Sequence, residues 1–64
     1  MQASHERELL TYISIGDTNV GALTYANAIL SDVIDGDMQG EELQEHILDV
    51  KEIIVKVCMK LSGR

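Results

Sequence analysis

Apolar positions recur with a helical period between Glu41 and Leu61. In EELQEHILDVKEIIVKVCMKL, the residues Leu43, Ile47, Val50, Ile54, Val57 and Leu61 follow one another at intervals of 4, 3, 4, 3 and 4. A repeat of about three and a half residues keeps one stripe of a helix against a partner helix. At about 1.5 Å per residue the helix runs roughly 30 Å. Leu48, Ile53, Val55, Cys58 and Met59 flank the stripe, which widens the apolar surface beyond that of a two-helix seam. The stretch therefore reads as the central helix of a small bundle.

Two shorter helices are predicted upstream. Ser4 is a candidate N-cap, followed by Glu6 and Glu8 at the end of the helix where the dipole favours acids. Leu9, Leu10, Tyr12, Ile13 and Ile15 supply an apolar face and Gly16 a terminator, giving a helix over about 4–15. The β-branched tail Thr11–Ile15 makes a strand the competing reading. Asp17, Thr18 and Asn19 are three successive cap candidates, and Val20, Leu23, Ala26, Ile29 or Leu30, and Val33 or Ile34 then recur at helical spacing. The second helix is expected over 18–34. Gly21, Ala22, Ala26 and Ala28 let a neighbouring helix approach closely. Asp35 to Gly40 carries two glycines and two acids and reads as a loop. The third helix then covers 41–61, with Glu41 and Glu42 in its first turn.

The expected fold is all-α: one three-helix domain over residues 1–64, packing as a helical-bundle homodimer. Composition supports this. The chain has no Pro, Phe or Trp and 45% hydrophobic residues, so its core is aliphatic. A domain of this size buries only about 60% of the surface its unfolded chain exposes, and small folds compensate with disulfides, metals, oligomerisation or tight helix packing. One cysteine, Cys58, rules out an internal disulfide, and with only His5 and His46 beside it a structural zinc site is not expected.

Four chemical readings can be set against the same residues. Asp35, Asp37, Gln39 and Gly40 open like a calcium loop, but Glu42 stands where an apolar residue belongs and His46 where a bidentate Glu does. Glu42, His46 and Asp49 share one helix face without a further ligand at recognisable spacing; His46 reads as a flank residue paired to a local acid. Cys58 has no imidazole near it in sequence and reads as a buried or half-buried small hydrophobe. A helix-turn-helix reader needs Arg, Lys, Asn or Gln on the exposed face and bases beside them, whereas the second helix has no base and exposes Thr24, Asn27, Ser31 and Asp32. No catalytic, cofactor-binding or metal-ligating set is expected.

Charge completes the expectation. The net charge is −6, with 11 acids against 5 bases, which argues against contact with nucleic acid or an anionic membrane. No apolar run reaches a membrane span, and the first ten residues lack the basic-then-apolar order of a signal peptide. A cytoplasmic protein of bacterial or phage origin is the plain expectation. The third helix is acidic at its start and basic at its end. In an antiparallel pair of such helices Glu41, Glu42, Glu45 and Asp49 would face Lys51, Lys56, Lys60 and Arg64, at about 0–1 kcal/mol per exposed pair. Two partners are therefore expected: a second copy, antiparallel through the third helix, and a basic protein bound by Asp32, Asp35, Asp37, Glu41, Glu42 and Glu45. The function that follows is a small acidic adaptor or regulator; the alternative is a helical assembly module.

Overall fold

Asp17 decides where the chain turns. Its carboxylate accepts from the backbone N–H groups of Asn19 at 2.9 Å and Val20 at 3.0 Å, satisfying two of the four donors a helix start leaves open. The computed structural model describes residues 1–63 and contains α1 (Ala3–Ile13), α2 (Thr18–Asp35) and α3 (Gly40–Ser62). Among the described residues there is no strand.

The first helix differs from expectation at both ends. Gln2, not Ser4, holds the cap position, and no side chain caps this helix. The segment Thr11–Ile13 is helical rather than extended, but α1 stops at Ile13. The Ser14 N–H still bonds to the Leu10 carbonyl, and its hydroxyl donates to the Thr11 carbonyl. Asp17 then draws the chain into α2, which leaves Ile15 exposed and outside any helix. At the far end of α2, Gly40 enters α3 at φ +66°, a left-handed conformation that glycine adopts without steric cost.

Packing centres on α2, which contacts both other helices. Ala22, Tyr25, Ala26 and Ile29 of α2 meet Val50, Ile53 and Val57 of α3 in the core, with Leu9, Tyr12 and Ile13 of α1 packed against them. Gly21 sets the spacing of α1 and α2: a Cβ built there would lie 2.6 Å from the Tyr12 carbonyl oxygen and 3.0 Å from Ile13 Cα. The body measures 38 × 22 × 19 Å, its long axis close to the length of α3.

The stripe that α3 buries consists of Asp49, Val50, Ile53 and Val57. Of the predicted seam, Val50 and Val57 are buried and Leu43 is half-buried, while Ile47, Ile54 and Leu61 are exposed. At about 100° per residue the buried stripe is turned by roughly 60° from the predicted one. On the observed stripe Asp49 meets His5 of α1, and Ile53, one turn on, lies in the core against α2.

Candidate functional site

Three features stand out from the fold: an acidic end, an uncovered apolar face and a buried polar cluster. The acidic end is made where α2 gives way to α3. Asp32 and Asp35 lie on the last turn of α2, Asp37 in the connection, and Glu41, Glu42 and Glu45 on the first turns of α3. All six are exposed. Among the described residues the ion pairs involve Asp49 and Glu52, and none of these six carboxylates. No Lys or Arg occurs between Arg7 and Lys51, so no cation from that span of the chain neutralises this end.

The uncovered face runs along α3 and α2. Ile47, Leu48, Ile54, Val55, Met59 and Leu61 of α3 are each at least 41% exposed, as are Leu23, Val20 and Ile34 of α2. Cys58 is exposed among them, contrary to the expectation of a buried small hydrophobe. It lies on the side of α3 turned away from the core stripe. On the other side, α1 and the C-terminal half of α3 diverge around a groove of about 600 Å³. Leu9, Leu10, Ile13 and Val57 line it, with Lys56 and Lys60 along one edge.

The polar cluster ties the start of α1 to the middle of α3. Asp49 and His5 are both buried, with the imidazole Nδ1–H donating to Asp49 Oδ2 at 2.5 Å. The Gln2 backbone N–H and side-chain amide donate to the same oxygen at 3.2 and 3.3 Å. The Met1 amine lies 4.0 Å from Asp49 and 3.5 Å from Glu52. Burial alone raises the Asp49 pKa, but the hydrogen bonds from His5 and Gln2 outweigh it and hold the carboxyl below its ordinary value of 3.8.

Aromatic rings close around this cluster. His46 stands edge-on to His5 with centroids 4.6 Å apart, and Tyr25 lies edge-on at 6.1 Å. The Tyr25 phenol is pushed well above its ordinary range, first by burial and then by the nearby Glu8 carboxylate. His46 donates from Nδ1 to the Glu42 carbonyl of its own helix at 2.8 Å. The residues Glu42, His46 and Asp49 thus share a helix face without converging, because Asp49 turns to His5 and His46 to the backbone. Among the described residues no three His, Cys, Asp or Glu side chains converge on a point that would hold a metal ion.

The sequence reading does not reach the His5–Asp49 pair, although a signal for it exists. Asp49 falls four residues before Ile53 and eight before Val57, on their stripe, and a carboxylate there needs a donor. His5 and Arg7 are the basic side chains of the first helix. Arg7 sits two residues further on, toward the opposite side of the helix.

No family model matches this chain, and no curated protein or solved structure matches it either. Among the described residues no helix is long and apolar enough to cross a membrane.

Proposed function

We propose that the chain is a small, non-enzymatic, protein-binding adaptor or regulator of the antagonist or chaperone kind. Its acidic end is the recognition surface and a basic protein surface its target. One observation carries this reading: Asp32, Asp35, Asp37, Glu41, Glu42 and Glu45 are exposed at one end of the molecule, outside the ion pairs formed among the described residues. Uncompensated charge of one sign speeds encounter with a complementary partner and rejects like-charged ones, contributing more to rate and specificity than to affinity. Direct binding to nucleic acid does not suit the same surface, because phosphates would meet carboxylates.

Pull-down from the native host with the wild-type chain, beside a variant with Glu41, Glu42 and Glu45 changed to Lys, tests the reading. Loss of the captured protein in the variant, with the helical circular dichroism retained, is the expected outcome. The same protein captured by both chains would remove the acidic end from consideration. A second reading, a helical dimerisation or assembly module in which α3 pairs antiparallel with its copy, draws on a different observation: the apolar side chains that α2 and α3 leave uncovered.

A further inference from the structure

We infer that the side of the α2–α3 hairpin facing away from α1 is the contact surface for a second copy of the chain, with Ile54 on the two-fold axis. The inference rests on the dimerisation reading above and goes beyond it, naming the surface, the register and what dimerisation does to the acidic ends.

The surface follows from where α1 sits. On α2, α1 packs at Gly21 and Tyr25; at about 100° per residue, Leu23, Leu30 and Ile34 project roughly opposite to those contacts. On α3, the start of α1 is held at Asp49, with Met1 beside Glu52. Ile47, Ile54, Cys58 and Leu61 project to the other side by the same reckoning. Because α2 and α3 are adjacent, both sets fall on one side of the hairpin and make a continuous apolar strip. Leu23, Ile47 and Ile54 are each a little over 40% exposed, as expected of side chains that flank the α2–α3 groove from outside.

The charges say what covers the strip. By the same reckoning of about 100° per residue, every acid of α2 and α3 (Asp32, Asp35, Glu41, Glu42, Glu45, Asp49 and Glu52) falls on the α1 side or the outer edge of its helix. Within the strip the one charged residue is Lys51. A chain with net charge −6 resists its own copy wherever acids face each other, and this strip is the side from which acids are missing. An apolar strip without acids can face its own copy, as a two-fold contact requires.

The register follows from spacing. Ile47 and Leu61 each stand seven residues from Ile54, so in an antiparallel crossing centred on Ile54 each Ile47 meets Leu61 of the other copy. That orientation also carries the acidic first turns of the two α3 helices to opposite ends, whereas a parallel pair would set them side by side. Glu41 lies thirteen residues from Ile54, so the two acidic ends point in opposite directions, about 40 Å apart at about 1.5 Å per residue. The dimer is thereby a bivalent ligand for basic surfaces, and avidity follows where a target offers two.

Sedimentation equilibrium at tens of micromolar, with circular dichroism as the check on folding, tests this. The wild-type chain is expected at twice its chain mass, and Ile54→Lys at the monomer mass with its helicity kept; a monomeric wild-type chain overturns the inference. Cross-linking gives an independent readout. In a Cys58→Ser background, Ile54→Cys is expected to form a disulfide-linked dimer under mild oxidation and Val55→Cys, on the outer side of α3, is not. Cross-linking through Val55→Cys, with Ile54→Cys inert, would overturn the proposed surface even if the chain dimerises. The pull-down with the three Lys substitutions reads the acidic end separately, so failure of either proposal is recognised without the other.

Discussion

Replacing Gly21 with alanine sets two effects against each other on one residue. Alanine is the better helix former by about 1 kcal/mol in a helix interior, so on propensity alone Gly21→Ala stabilises α2. The contacts oppose this. The added Cβ would lie 2.6 Å from the Tyr12 carbonyl oxygen, inside the 3.0 Å that real Cβ atoms essentially never cross, with Ile13 Cα and the Tyr12 carbonyl carbon at 3.0 Å. All three neighbours are backbone atoms and cannot rotate away, so α1 must lift off α2 by several tenths of an ångström. Over-packing of this kind costs about 1–3 kcal/mol.

The cost exceeds the gain, and the expected net loss is about 1 kcal/mol. In a domain of this size that lowers the melting temperature by roughly 4–8 °C. Thermal melts followed by circular dichroism at one fixed protein concentration measure it; the concentration must be held because association shifts the midpoint. Gly16→Ala is the matched control. Nothing lies within 4 Å of its Cβ position, and the substitution is expected to be neutral or to stabilise by about 0.4–1 kcal/mol through the unfolded chain. A Gly21→Ala protein that melts as high as the wild type would refute the close approach of α1 to α2.

Two further outcomes follow from the hydrogen bonding and the backbone. Asp49→Asn weakens three hydrogen bonds to one buried oxygen and is expected to cost about 1–3 kcal/mol. Its pH signature has a definite sign. The folded pKa lies below the unfolded value of 3.8, so the unfolded chain binds more protons between the two, and the stabilisation present above 3.8 is lost as the pH falls through the folded value. Urea midpoints measured across that range should fall less steeply in Asp49→Asn than in the wild type, and parallel curves would remove Asp49 from the account. Gly40→Ala is expected to cost about 1–2 kcal/mol for a backbone reason alone, since φ is +66° and no atom lies within 4 Å of the Cβ position; chemical denaturation reads it, and an unchanged midpoint would contradict the left-handed entry to α3.

Local signals carried most of the architecture. The Asp17–Asn19 run, the Asp35–Gly40 connection and the helical spacing between them put all three helices within two residues of where they lie. The small residues Gly21, Ala22 and Ala26 marked the closest packing. What stayed hidden is which side of α3 turns inward. Apolar residues occupy most of its circumference, with Leu48, Val55 and Met59 opposite Val50 and Val57, so periodicity alone admits more than one stripe. The inward side carries a contact 44 residues distant in sequence, His5 to Asp49, and packs against α2 through Val50, Ile53 and Val57; no local pattern encodes either. The acidic end was legible because like charges adjacent in sequence at a helix–turn–helix junction remain adjacent in space.

The absence of Lys and Arg between residues 8 and 50 has a consequence for how the molecule comes apart. Trypsin cuts after basic residues, and all of α2, its turn and the first half of α3 lie inside a stretch it cannot enter. Its sites within the helices are Arg7 in α1 and Lys51, Lys56 and Lys60, spread over about three successive turns of α3. Cleavage at each requires that turn to open locally, so the order in which the peptides appear reads out the fraying of α3 from Ser62 inward. Lys51 is also the one charged residue of the strip assigned to the second copy. Its cut rate should fall as protein concentration rises, while the rate at Arg7 stays constant.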